Sequence, residues 1–218
     1  MDQVRHGASD IELQLHSVSI GLRRPRHRSF YALCMKPAVD KAVSAIALLA
    51  LSPLLLLLTV LIRLDSAGPA LFKQLRIGKD GKEFTIYKFR TMYVHTPEQA
   101  VSPTSSSDPR ITRIGRFLRK FSLDELPQLY NILLGEMSFV GPRPEQKWTV
   151  ETCYTSYERE RLLVKPGLTG YWQISEDRKK PIHENLHHDF RYIREMSALT
   201  DLRIVLRTVK LLFRSNTC

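Results

Sequence analysis

Ser122-Leu-Asp-Glu-Leu-Pro-Gln128 puts two neighbouring carboxylates, Asp124 and Glu125, directly behind a basic run of Arg110, Arg113, Arg116, Arg119 and Lys120. Carboxylate oxygens bind hard divalent cations, and guanidinium and ammonium groups bind phosphate oxygens. Acid set against that much positive charge points to chemistry on a phosphate with a metal ion at hand. Downstream, Val140-Gly-Pro-Arg-Pro-Glu145 holds Arg143 between two prolines. Their fixed φ stiffens the loop and suits the guanidinium to a bidentate grip on phosphate. Lys88 and Arg90 stand two apart in Phe84–Met92 and so share one face of an extended strand. Solvated edge charges are the plainer reading of that spacing.

The acid pair has a second reading. Ser122-x-x-Glu125 fits the reciprocal cap of a helix start, with both acids opposing the helix dipole. The readings are compatible, because a helix N-terminus also presents N–H groups to phosphate. A carboxylate there is expected to keep a low pKa and stay ionised, as a nucleophile or a metal ligand must.

The elements that must position these residues follow from pattern. Arg110 to Phe121 has helical spacing, with Ile111, Ile114, Leu118 and Phe121 on one face and Arg113, Arg116 and Lys120 on another. Upstream, Gly68-Pro69 marks a turn. Extended runs at Ala70–Ile77 and Glu83–Met92 flank Lys79-Asp-Gly81, a good hairpin turn. His95 to Ser107 is rich in Pro, Ser and Thr and reads as a surface loop. Lys165-Pro-Gly-Leu-Thr-Gly170 is a second rigid loop or a tight turn, followed by Tyr171-Trp-Gln173. His183 to Phe213 reads as one helix. Leu199, Leu202, Val205, Leu206, Val209, Leu212 and Phe213 make its apolar face, and Arg203, Arg207, Lys210 and Arg214 line its edge. That pattern fits a helix in a membrane interface, and equally a core helix with a solvated basic edge.

Ala42 to Ile62 carries no charge and is long enough for one bilayer-spanning helix, which needs about 20 apolar residues. Ser52-Pro53 sits at its midpoint, where the missing N–H and the ring should bend or break the helix. Positive charge flanks both ends: Arg23, Arg24, Arg26, Arg28, Lys36 and Lys41 before, Arg63, Lys73 and Arg76 after. The positive-inside rule cannot satisfy both flanks with a single crossing. A re-entrant pair of half-helices broken at Ser52-Pro53 satisfies both, with Ser52 or buried neighbours serving the freed backbone groups. A plain single-pass anchor is the other reading.

The formal net charge is +11, which suits anionic lipid, phosphorylated substrates or nucleic acid. Nucleic acid is the default partner of a basic protein, and the apolar segment argues against it. Cys34, Cys153 and Cys218 form no Cys-x-x-Cys pair, so neither a disulfide framework nor a zinc site is signalled. His187-His188 is an adjacent pair, and adjacent helix positions do not share a face, so it is not read as a metal site.

From Lys36 to Phe213 the chain resembles bacterial sugar transferases of the small monotopic polyprenyl-phosphate phosphoglycosyltransferase type that primes exopolysaccharides. The resemblance is carried by Phe72-Lys-Gln-Leu-Arg76-x-Gly78 after Gly68-Pro69, Tyr87-Lys-Phe-Arg-Thr-Met92 and Asp108-Pro-Arg-Ile-Thr112. It continues through Ser122-Leu-Asp-Glu-Leu-Pro-Gln128, Gly141-Pro-Arg-Pro144 and Lys165-Pro-Gly-Leu-Thr-Gly170, all in order. It implies that Asp124 is the nucleophile of an Asp-Glu dyad. In that scheme Asp124 attacks the β-phosphate of a UDP-sugar, releasing UMP and leaving a phosphosugar-aspartyl enzyme. Undecaprenyl phosphate then takes the phosphosugar. The resemblance further implies that Glu125, with Asp124, holds Mg²⁺, that Arg143 grips phosphate, and that Lys88, Arg90 and Arg110 are basic positions near the site. It matches Ser52-Pro53 to a re-entrant membrane helix, and it implies the bacterial inner membrane with the catalytic part on the cytoplasmic face. It admits a homodimer. The chain departs from the family at Pro37, which follows Lys36, and at Ser175-Glu-Asp-Arg178, where many members carry Gly-Arg.

The expected architecture is α+β and mainly helical. It comprises a polar basic tail (1–35), a helix-break-helix membrane element (36–65) and a catalytic part (66–218) with a short β-hairpin and interfacial amphipathic helices. A rival from another class is a non-enzymatic, membrane-tethered basic module that binds anionic lipid or nucleic acid. An aspartyl-phosphate phosphohydrolase is a second rival.

Overall fold

The computed structural model describes residues 26–94, 96, 103 and 107–214. Most of the expected tail, and most of the His95–Ser107 loop, lie outside the described residues. Helix α1 is Lys36–Asp65, continued backwards by a π-helical turn at Tyr31–Met35. Together Tyr31–Asp65 make one helix long and apolar enough to cross a membrane. The folded chain therefore begins before residue 36, where the tail was expected to end. Tyr31 and Ala32 already pack against buried Val140, Tyr192 and Ile204.

The break expected at Ser52-Pro53 is not an interruption, for α1 stays helical through Pro53. Proline cannot donate to the carbonyl four residues back, which here belongs to Leu49. The Ser52 hydroxyl donates to that oxygen instead, at 2.8 Å. The lost backbone bond is thus replaced within the same turn.

Strands β1 (Leu71–Ile77) and β2 (Glu83–Phe89) form the expected antiparallel hairpin, with Leu71 opposite Phe89 and Ile77 opposite Glu83. Asp80 and Gly81 close it at φ of 56° and 76°. Helix α2 is Arg113–Lys120, shorter than the periodicity suggested, because Thr112 caps it by accepting from the Gly115 N–H. Asp65, the last residue of α1, accepts from the Ile114 N–H at 3.0 Å and so ties the end of α1 to the start of α2. After α2, Leu123–Glu125 is a 3₁₀ turn, and α3 runs Gln128–Leu134.

Strands β3 (Ser138–Val140) and β4 (Gly167–Thr169) pair in parallel, so the Lys165–Gly170 segment carries a short strand rather than a tight turn. The backbones approach closely: a Cβ on Gly167 would stand 2.1 Å from the Gly141 nitrogen. Between them lies α4 (Lys147–Cys153). The single helix expected over His183–Phe213 is two, α5 (His187–Glu195) and α6 (Ala198–Arg214). Met196 leaves the helical region at ψ 120°. Ser197 then opens α6, its hydroxyl accepting from the Thr200 N–H at 3.2 Å.

One body of packing positions all of this, and α1 lies along it. The π-helical turn that leads into it packs on the α5–α6 cluster, and Ala47, Leu48 and Leu51 pack on Phe84, Ile86, Leu129 and Ile132. Near its end, Leu58 and Ile62 join Ala70, Phe89 and Leu118. Polar bonds fix the first of these contacts. Lys36 Nζ lies 2.5 Å from Asp201 Oδ2, the Tyr31 hydroxyl donates to the same oxygen at 2.6 Å, and the Ser138 hydroxyl donates to Asp40 at 2.7 Å. The outward faces are apolar. Ile46, Leu49, Leu56 and Leu64 of α1 are 68–79% exposed, and Leu199, Leu202 and Leu206 of α6 are exposed while Asp201 and Ile204 face inward.

Candidate active site

The dyad does not sit on a helix start. Ser122 adopts the left-handed region at φ 53° and makes no side-chain cap, so the capping reading fails. That conformation turns the chain sharply between α2 and α3. Asp124 and Glu125 then lie in the 3₁₀ turn, beside β2 and not at the end of a ladder of N–H groups.

Their environments pull them apart. Glu125 Oε1 accepts from Lys88 Nζ at 2.8 Å and lies 3.7 Å from Arg143 NH2. Burial alone would raise Glu125, but Lys88 and Arg143 outweigh it and bring its pKa down to about 2. Asp124 moves the other way. Burial and the charge on Glu125 raise it, against the smaller opposing pull of Lys88 and Arg119. The low pKa expected of a capping carboxylate therefore belongs to Glu125, and Asp124 is the elevated member. No direct ion pair engages Asp124 among the described residues, so Glu125 is the anchored carboxylate and Asp124 the unclaimed one.

Arg143 arrives as its sequence suggested, on a loop held from several sides. The Gly141 N–H donates to Thr169 O at 2.9 Å, and the Gly167 N–H donates to Pro142 O at 2.7 Å. Arg161, buried to 1% exposure, donates NH2 to the Arg143 carbonyl at 2.6 Å, Nε to Asp189 at 2.7 Å and NH1 to the Tyr154 hydroxyl at 2.8 Å. Arg76 donates to Pro144 O at 3.2 Å. The Arg143 guanidinium itself lies 5.6 Å from the centre of the Trp172 ring.

Two of the expected phosphate ligands are held by other partners. Arg90 follows the end of β2, and its guanidinium donates to Ala67 O at 2.8 Å and Ser66 O at 2.6 Å. It fills the space over Gly68, where a Cβ would stand 2.3 Å from Arg90 NH1. Arg90 thus secures the turn that follows α1. Arg110 pairs bidentately with Asp108, at 2.9 and 2.6 Å, and among the described residues no ion pair or hydrogen bond joins it to the dyad.

Three residues outside the expected site set belong in this neighbourhood. Arg76, Gln128, Lys88, Glu125 and Arg143 line one small cavity. Burial lowers Arg76 to about 10, still cationic at neutral pH, and its Nε has no hydrogen-bond partner among the described residues. The signal for Arg76 was the alternation Phe72, Gln74, Arg76, which puts it on the same hairpin face as Lys88. Arg119 acts on Asp124 and was visible only as part of the basic run.

Elsewhere, the Ser175–Arg178 departure forms a 3₁₀ turn over Glu176–Lys179. From it Asp177 bonds His188 at 3.0 Å. The His187 and His188 rings stack at 4.0 Å, closer than adjacent helical positions suggested.

The cavity beside the dyad gathers three cations and the Glu125 carboxylate, groups of the kind that bind a phosphorylated substrate. Comparison with known proteins gives it a family. Residues 31–215 match the bacterial sugar transferase family. The undecaprenyl-phosphate glucose phosphotransferase of Komagataeibacter xylinus is 41% identical over 205 residues, covering 89% of this chain and 38% of the relative. A UDP-N-acetylgalactosamine-undecaprenyl-phosphate N-acetylgalactosaminephosphotransferase of Aeromonas hydrophila is 37% identical over 205 residues, 90% of this chain and 47% of the relative. The exopolysaccharide production protein PSS of Rhizobium leguminosarum bv. phaseoli is 41% identical over 189 residues, 81% of this chain and 94% of the relative. The chain spans less than half the length of the first two. A family match that runs from the π-helical turn before α1 to the end of α6, with the dyad cavity inside it, makes this chain a member of the bacterial sugar transferase family.

Proposed function

We propose that this protein transfers a phosphosugar from a UDP-sugar to undecaprenyl phosphate at the membrane, priming exopolysaccharide or another glycoconjugate. The observation that carries the reading is the division of labour in the dyad: Glu125 pinned by Lys88 and Arg143, and Asp124 without an ion pair among the described residues. The names of the relatives in Komagataeibacter and Aeromonas support the acceptor class.

The chemistry is two displacements at one phosphorus. An ionised Asp124 oxygen attacks the β-phosphorus of the UDP-sugar, and the bond from that phosphorus to the UMP oxygen breaks. UMP departs with the electron pair, leaving the phosphosugar on the aspartate as an acyl phosphate. A phosphate oxygen of the lipid then attacks the same phosphorus, and Asp124 leaves as carboxylate. Arg143 and Lys88 meet the charge that develops on the phosphoryl oxygens, and Arg76 adds a third cation to the cavity wall. Arg119 favours the ionised form of Asp124 before attack and after release.

Mg²⁺ fits this donor set. Adjacent carboxylates whose repulsion helps raise Asp124 are hard oxygen ligands, and a divalent cation between them would relieve that repulsion. Asp124 and Glu125 would hold it together with substrate phosphate, and the ion would supply charge neutralisation.

The exposed apolar faces of α1 and α6 support membrane residence, with basic Arg203 and Arg207 beside the α6 face suited to anionic headgroups. Because both ends of α1 pack on one body, both ends belong on one side, which we take to be cytoplasmic. The test is a screen of UDP-sugars for UMP release in the presence of polyprenyl phosphate and Mg²⁺. Release that needs both substrates supports the reading. A non-enzymatic basic module would release no UMP, and a phosphohydrolase would yield free sugar phosphate without the lipid.

A further inference from the structure

We propose that the groove between α1 and the β1–β2 hairpin holds the isoprene units nearest the phosphate of the polyprenyl-phosphate acceptor, an inference that rests on the function proposed above. The groove encloses about 700 Å³, within the range of roughly 300–1,000 Å³ typical of small-ligand pockets. It takes a segment of a long chain and leaves the rest to the bilayer.

Its walls select the ligand. Leu55, Thr59 and Arg63 recur every four residues along one face of α1. Opposite them stand Lys73 and Tyr87, direct cross-strand partners in the hairpin. Tyr130 of α3 closes the groove, its ring edge-on to Tyr87 at 5.7 Å. The lining is otherwise almost wholly apolar, and among the described residues its only charges are the cations Arg63 and Lys73. An apolar groove whose only charges are positive is complementary to an amphiphile with an apolar tail and an anionic head. Water gains few partners there, and neutral apolar ligands would leave both cations unused.

The groove also has the right neighbour. Strand alternation turns Tyr87 towards the groove and Lys88, the next residue, to the opposite face, where it meets Glu125. Pro127, two residues beyond Glu125, is part of the groove wall. One strand thus presents an apolar surface to the lipid chain and a cation to the dyad. The acceptor's tail is held apart from the charged cavity while its head lies within reach of the dyad turn.

Thr59→Trp fills the groove without touching the dyad cavity. In the purified, membrane-reconstituted protein, the donor half-reaction is read as the burst of UMP from UDP-sugar alone, and acceptor use as KM for polyprenyl phosphate. The burst is expected to stay within twofold of wild type while the acceptor KM rises at least tenfold. An unchanged acceptor KM in a folded variant would overturn the assignment. A measurement on the unaltered protein covers the case of a variant that does not fold: labelling with a diazirine-bearing polyprenyl phosphate. The expected marks fall on peptides spanning Leu55–Arg63 or Lys73–Phe89, and undecaprenyl phosphate competes for them while dioleoylphosphatidylglycerol does not. Marks elsewhere, or equal competition by the phospholipid, would overturn it. A wild type that gives no UMP burst with any UDP-sugar would instead fail the proposed reaction, and the labelling reads the groove independently of that result.

Discussion

Arg143 and Lys88 share one carboxylate but serve it differently, and substitutions should separate them. Arg143 offers a planar fork on a loop with little freedom left to lose, whereas lysine offers a point charge. Arg143→Lys is expected to lower turnover by about ten- to a thousandfold, the loss of one electrostatic donor. Partition into membranes should hardly change, because the charge is kept. Normal turnover would mean that the loop is structural and that phosphate is gripped elsewhere, with Arg76 the next candidate. Lys88 acts on the acid limb of the pH profile. Asp124 attacks as the carboxylate, and its pKa is raised, so the donor half-reaction should fall as pH drops through that raised value. Lys88 opposes the rise. Lys88→Met removes that opposition, so the acid limb of single-turnover UMP release should move to higher pH. A limb that stays in place would show that the group being titrated is not Asp124.

At the scale of elements, the Arg143 loop depends on a charge buried behind it. Arg161 spends its fork on Asp189, Tyr154 and the Arg143 carbonyl, and breaking a buried ion pair typically costs about 3–5 kcal/mol. Arg161→Lys keeps the charge and loses the fork, so the melting temperature should fall and turnover should fall with it. If Arg161 works through Arg143, the double variant Arg143→Lys/Arg161→Lys should be little slower than the slower single variant. Simple multiplication of the two losses would make Arg161 a stability residue alone. This dependence was not legible in the sequence. The hairpin and the stiff Gly141–Pro144 loop were, because Gly, Pro and alternation act locally. The parallel pairing of β3 with β4 and the Arg161 fork join residues far apart in the chain, and no local pattern encodes such partners. The capping motif at Ser122 misled for a related reason, since its spacing is local but the left-handed turn joins two helices placed by their packing, α2 on α1 and α3 on α1 and β2. Arg90 and Arg110 were expected near the site from the family resemblance, and the partners that hold them, the 66–67 carbonyls and Asp108, are not encoded in any local pattern.

For the whole molecule, the question is how a chain with a helix uncharged from Ala42 to Ile62 and a charged domain sits at a bilayer. Charge on both flanks of α1 was readable from sequence, and the structure adds that both ends of that helix pack on the same body. Residues 28 and 73 are therefore expected on one side, the cytoplasm. Cys34 and Cys153 are exposed, so they and Cys218 are first replaced by serine. Single cysteines at Arg28 and Lys73 should then resist an impermeant thiol reagent on intact cells and react after permeabilisation. Labelling of only one position in intact cells would establish a true crossing. The dyad beneath this arrangement is the centre of the account, and one measurement meets it directly. The intact protein is incubated with UDP-sugar alone and weighed by mass spectrometry. The result expected is a gain of one phosphosugar on the peptide carrying Asp124, absent from a folded Asp124→Asn variant that also makes no lipid product. Lipid-linked sugar formed at a substantial rate by Asp124→Asn, or a phosphosugar found on another residue, would contradict the account.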